Sequence, residues 1–283
     1  MKRIRLFAAL SLVFAVSLFG DVLPVPASLR STVTQQIGKT TVTVDYSRPN
    51  MKGREIFGAL VPYGEVWRTG ANACTKLSTD TEIQIGGSTL PAGRYGLFSI
   101  PNKDQWTIII NANADQFGAF TYDDALDVLR FTAPSKSMQE SFETFEIAFA
   151  QVADNAARIE LRWDETVVAF PISVTEESNH QQMMSDIRKE VIEADNPHWA
   201  NMGEAARYFV RENMDLEQAA EWYRLSLEQN PDAYWLAVER SKVLSALDQP
   251  EEAKAVMQSA LDTAQRLNDA QGIAWIEGEL AKL

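Results

Sequence analysis

The chain has 283 residues, 46% hydrophobic and 23% charged, with a formal net charge of −13 and one cysteine. These are the proportions of ordinary globular protein, which excludes a largely disordered chain. The acid excess argues against a nucleic-acid partner, which needs a Lys/Arg-rich face, and a single thiol excludes an intramolecular disulfide.

The chain opens with MKRIR, three positive charges in five residues, followed by the uncharged run LFAALSLVFAVSLFG. A basic segment before a short apolar core predicts a secretory signal peptide over residues 1–20, cleaved near Gly20. The core from Leu6 to Phe19 falls short of the roughly 20 residues that span a bilayer. No later segment is long and apolar enough to do so, so the mature protein is expected to lack a transmembrane segment. The expected address is the periplasm of a Gram-negative bacterium, or secretion beyond it.

From residue 28 to 175 apolar residues recur every second position, as in half-buried strands. Thr41 to Tyr46 alternates cleanly, and Arg158 to Trp163 puts Ile159, Leu161 and Trp163 on one face. Val168, Phe170, Ile172 and Val174 form another such face, as do Phe145, Ile147 and Phe149. Thr107 to Ile110 reads as a more fully buried strand. Gly86-Gly87, Pro91-Ala92-Gly93, Pro101-Asn102 and Asp154-Asn155 supply turns between the runs. The expectation is an all-β antiparallel sandwich or jelly-roll-like domain, with a helix only around Asp123 to Leu129.

At Glu176 the period changes to a helical one, in sequence rich in Ala, Leu, Glu, Gln and Met. Residues 176–197 read as a linking helix. Residues 198–283 overlay on themselves at an offset of about 34, the tetratricopeptide period, placing Ala219 on Ala253 and Leu227 on Leu261. This predicts an all-α tail of tetratricopeptide-like hairpins with a closing helix, suited to a protein or peptide partner. Two unrelated helical hairpins are the alternative. From residue 175 onward there are 10 basic and 21 acidic side chains, so most of the charge lies in the tail. The tail aromatics Trp199, Tyr208, Trp222, Tyr223, Tyr234, Trp235 and Trp275 are expected mainly between helices.

The densest unusual stretch runs from Asp45 to Leu77, where Arg48, Lys52, Arg54 and Arg68 lie among Tyr46, Tyr63, Glu65, Trp67 and Asn72. Guanidinium forks match planar anions and aromatic faces match sugar rings. Tyr46, Arg48, Arg54, Glu65, Trp67, Arg68 and Asn72 are therefore the candidate binding residues, for an anionic or glycan ligand. The competing structural reading pairs Arg48 and Arg68 with Asp45 and Glu65 to fasten a long loop to the sheet.

The segments TVTQQIGKTTVTVDYSRPNMKGREIFGALVPYGEVWRTGAN, LPAGRYGLFSIP, WTIIIN and DVLRF resemble, in order, an exported bacterial family, domain of unknown function 2911. The resemblance spans about residues 28–174. It implies a compact β-rich fold and export, and brings no agreed activity or site residues. Where that family commonly has Glu after the Asn of WRTGAN, this chain has Ala73, followed by Cys74. A catalytic role for that carboxylate would therefore not carry over.

Other chemistry is poorly supported. Asn111-x-Asn113-x-Asp115 begins like a calcium loop but has Gln116 at the sixth position and Tyr122 at the twelfth, so it is not an EF-hand. Asp123, Asp124 and Asp127 could face a cation but read as surface carboxylates. The two histidines, His180 and His198, lie in the tail, leaving no histidine for a zinc site or triad in the β domain. No metal or cofactor is expected. Cys74, with no motif beside it, reads as a small buried residue. Three functions stand: a binding or scaffold protein, an envelope carbohydrate hydrolase or lyase using Glu65 or Asp45, and an assembly factor acting through the tail alone.

Overall fold

The computed structural model describes residues 26–282, so the predicted signal peptide lies outside the described residues. Among the described residues nine strands are followed by six α-helices. The strands are β1 (Leu29–Ile37), β2 (Thr40–Arg48), β3 (Thr75–Thr79), β4 (Ile83–Ile85), β5 (Ser88–Leu90), β6 (Gly93–Ile100), β7 (Gln105–Asn111), β8 (Asp127–Ala150) and β9 (Ala156–Ser173). All pairings between these strands are antiparallel, in the order β1-β2-β3-β6-β7-β8-β9-β4-β5.

The long strands β8 and β9 give the sheet its shape. The start of β8 pairs with β7, and its later part pairs with β9 across register breaks between Ser137 and Glu146. Such irregularities bend a strand and sharpen its twist. The far end of β8 returns over β2 and the segment after it: the Phe145 N–H donates to Pro49 O at 2.9 Å and the Met51 N–H to Glu143 O at 2.8 Å. The sheet thus folds over on itself as a sandwich does. Val42, Val44, Leu77, Ile108 and Ile110 from one half share a core with Phe145, Ile147, Ile159, Leu161, Trp163 and Phe170 from the other. These are the inward positions of the alternating patterns. Each large apolar side chain fully buried there contributes roughly 1.5–3 kcal/mol. The strands β6 and β7 bury both faces, because Cys74, Phe98 and Ile109 form a second small cluster on the opposite side.

Two local expectations are corrected. Asp123 to Leu129 is not a helix: one 3₁₀ turn spans Asp124–Leu126, and β8 begins at Asp127 and continues the ladder with β7. The predicted faces at Ile159–Trp163 and Val168–Ile172 belong to one 18-residue strand, β9.

The helices are α1 (Glu176–Ile187), α2 (Trp199–Arg211), α3 (Leu216–Gln229), α4 (Tyr234–Ala246), α5 (Pro250–Arg266) and α6 (Ala270–Leu280). Thr175 caps α1 by accepting from the Ser178 N–H, Asp215 caps α3, and Pro250 starts α5 in the first turn, where its missing N–H costs nothing. A π-helical turn, Arg188–Ile192, extends α1. The α2–α3 and α4–α5 pairs begin 35 and 34 residues apart, at Trp199 and Tyr234 and at Leu216 and Pro250. Tyr208, Trp222 and Tyr223 are buried, whereas Trp235 and Trp275 are exposed. No helix among the described residues is long and apolar enough to cross a membrane.

One buried hydroxyl joins the two halves of the sandwich. Tyr46 Oη on β2 accepts from the Ile147 N–H at 2.9 Å and donates to Ile147 O at 3.2 Å. Stranding a buried N–H costs about 1–3 kcal/mol. Tyr46→Phe is expected to lower the unfolding free energy by about that amount in a urea titration, with an unchanged denaturant slope.

Candidate functional site

Between β2 and β3 the chain makes a long excursion, residues 49–74, across one end of the sandwich. Its anchor is Trp67. The Trp67 N–H donates to Ser99 O at 2.7 Å, the Ser99 N–H donates back to Trp67 O at 2.9 Å, and the indole Nε1 donates to Gly70 O at 3.1 Å. The ring stacks on Trp163 with centroids 5.9 Å apart and meets Trp106, Phe145 and Phe57 edge-on. Offset and edge-on contacts of this kind add roughly 0.5–1.5 kcal/mol each beyond area burial.

The anchored loop carries unusual backbone. Lys52, Thr69 and Asn72 all have positive φ, of 51°, 52° and 60°. For β-branched Thr69 this is a genuine outlier. Its hydroxyl shares a 2.9 Å hydrogen bond with Ser99 Oγ, and its carbonyl accepts from the Thr75 hydroxyl. Left-handed non-glycine residues cost about 1–3 kcal/mol each and gather at functional sites. Gly70 meets a different constraint: a Cβ there would lie 2.9 Å from Ser47 O.

The loop and the sandwich end enclose a cleft of about 340 Å³. The paired indoles Trp67 and Trp163 contribute to its lining, with Pro49, Asn50, Leu60, Val61, Gly70 and Ala71. Lys52, Arg54 and Arg68 line it too, and among the described residues no carboxylate does. Arg54 donates to the carbonyls of Met51 and Asn50, at 2.8 and 2.6 Å. Arg68 is half-buried and has no ion-pair partner among the described residues, and its buried Nε has no hydrogen-bond partner. Burial lowers its pKa below the usual guanidinium value, although so strong a base stays charged.

Of the seven candidate residues, Arg54, Trp67, Arg68 and Asn72 line this cleft. Tyr46 lies in the core beneath. Arg48 points elsewhere, donating to Phe145 O at 3.0 Å and sitting 3.8 Å from Glu146. Glu65 is exposed and lines no described hollow. The expected stitching pairs are not formed: Asp45 pairs with Arg30, and Arg48 with Glu146. Sequence reasoning missed Asn50, Ser28 and Trp163 as lining. Trp163 lies almost a hundred residues from Trp67, and no local signal links the two. Lys52 was visible in the same basic run.

The remaining polar motifs are internally satisfied. Asp127 accepts from Asn111 at 2.8 Å, Tyr122 at 2.6 Å and Arg130 at 2.5 Å. Burial, with the Asp127 carboxylate, pushes the Tyr122 phenol up to about 12. Asp115 bridges Lys76 and Arg94. Among the described residues no group of three or more His, Cys, Asp or Glu is placed to hold a metal ion.

Two outcomes are expected. Trp67→Ala removes the ring on which the loop rests and should cost about 3–5 kcal/mol in a denaturant titration. Cys74 is buried, with its thiol 3.3 Å from Ala114 O, and desolvation raises its pKa. Ellman's reagent at pH 8 should therefore label it slowly in the native protein and rapidly after denaturation.

Residues 28–172 match the family model described as protein of unknown function (DUF2911). No curated protein matches the chain.

Proposed function

We propose that this chain, which belongs to the DUF2911 family of proteins of unknown function, is an exported binding protein whose β domain holds an anionic ligand in the Trp67 cleft. The observation that carries this reading is the set of three cations, Lys52, Arg54 and Arg68, in a cleft that no carboxylate among the described residues lines. Leaving a buried donor such as Arg68 Nε unpaired costs about 1–3 kcal/mol. A carboxylate or phosphate oxygen would accept from it and neutralise the charge. Lys52, Thr69 and Asn72, all with positive φ, lie in the loop that borders the cleft, and backbone strain of this kind gathers at functional sites.

The N-terminal run of residues 1–20 contributes to no part of the site, but its basic-then-apolar pattern supports an address outside the cytoplasm. The hairpin spacings of 35 and 34 residues support a tetratricopeptide-like reading of the tail and, with it, a protein partner there. No observation favours the carbohydrate hydrolase or lyase alternative. Asp45 is engaged with Arg30, and Glu65 lines no hollow with it.

Isothermal titration of residues 21–283 with inorganic phosphate and with galacturonate tests the binding reading. At least one should bind, more weakly as salt rises. Arg68→Gln should weaken it by about tenfold or more, and Lys103→Gln, outside the cleft, should not. Absence of binding by both anions, or undiminished binding by Arg68→Gln, would overturn it.

A further inference from the structure

Beside the cation cleft lies a second hollow of about 300 Å³, and the two share Ser28 and Asn72 in their walls. Tyr46, Cys74 and Phe117 line it, and Phe117 is 68% exposed. Burying such a ring would be worth roughly 1.5–3 kcal/mol, which the fold forgoes. The backbone beneath is pinned in place. Phe117 forms a bridge with Ala73, the Cys74 N–H donates to Gln116 O at 3.0 Å, and the Gly118 N–H donates to Asn72 O at 2.9 Å. The segment that holds Phe117 up is therefore the one that borders the cation cleft. Around this hollow the charges are matched, Arg30 with Asp45 and Lys76 with Asp115.

We propose that cleft and hollow form one groove with two subsites for an acidic oligosaccharide. The acid group of one sugar lies against Lys52, Arg54 and Arg68, and the next ring stacks on Phe117. This rests on the anion-binding reading of the cleft. A sugar ring presents a C–H face that an aromatic ring can cover and a hydroxyl edge that paired charges can hydrogen-bond. A lipid tail would meet those same paired charges in place of a closed apolar channel. A ring held rigidly before the ligand arrives also lowers the ordering cost of binding.

Titration with galacturonic acid and with its linear trimer separates the two claims. The trimer should bind at least about tenfold tighter than the monomer. Phe117→Ala should abolish most of that gain while leaving monomer affinity unchanged, and Phe117→Trp should preserve it. Because Phe117 is exposed, the alanine variant is expected to fold, and a matching circular dichroism melt checks this. Monomer or phosphate binding with no gain for the trimer, or a gain that survives Phe117→Ala, overturns the two-subsite groove and leaves the anion cleft standing. Dodecyl phosphate gaining affinity over phosphate through Phe117, while the trimer gains none, overturns it in favour of a lipid. Failure of all these anions to bind overturns both readings.

Discussion

The packing of Trp67 against Trp163 is the contact on which the architecture of the site depends. Trp163 sits on β9, in the half of the sheet that folds over; Trp67 sits on the loop between β2 and β3, in the other half. Their stacking closes one end of the sandwich and buries two of its largest side chains. It also fixes what lies next in the chain. With the Trp67 backbone paired to Ser99 and its indole bonded to Gly70, Thr69 is forced into the left-handed region and Arg68 is turned toward the cleft. Core packing and cation placement are consequences of one anchor.

That coupling explains why an unpaired guanidinium can persist. In an adaptable loop, Arg68 would swing into water or find a carboxylate. Here its neighbours on both sides are buried and hydrogen-bonded, so the side chain inherits a position set by Trp67 and Thr69. The stability supplied by the aromatic cluster offsets the local cost, as expected where strain is held by an over-determined surround. Arg48, twenty residues before Arg68 at the end of β2, shows the contrast. It lies on a regular strand and meets the Phe145 carbonyl and Glu146, the partners a structural arginine takes.

The alternation of apolar residues made the strands legible, because a strand with one buried face must repeat every two residues. It read β2 and both faces of β9 correctly but not the continuity of β9, because the alternation breaks between Trp163 and Val168. In fact Asp164 adopts φ of 53° while the strand runs on. The helix expected near Asp123 failed for a related reason: Asp127 has local acceptor duties to Asn111 and Tyr122 that only the fold reveals. The density of Arg and aromatic residues singled out the loop that borders the cleft. Which arginines face the cleft depends on strand geometry and on Trp163, contributed from far along the chain.

The junction of sheet and helices follows the same logic on a smaller scale. Asn179 on α1 accepts from the Lys39 N–H at 2.9 Å and donates to Asn155 Oδ1 at 2.8 Å, so one amide touches the β1–β2 and β8–β9 turns. Gly38 is required there twice over: its φ is +57°, and a Cβ would fall 2.3 Å from the Asn179 side chain. Lys39 adds an ion pair with Asp186. The family match stops at residue 172, before α1 begins. Yet α1 is clasped to two turns within the matched region, by side chains whose partners lie on the other side of that limit. The β domain therefore extends mechanically into the first helix, and the helical hairpins begin from a base that the turns hold in place.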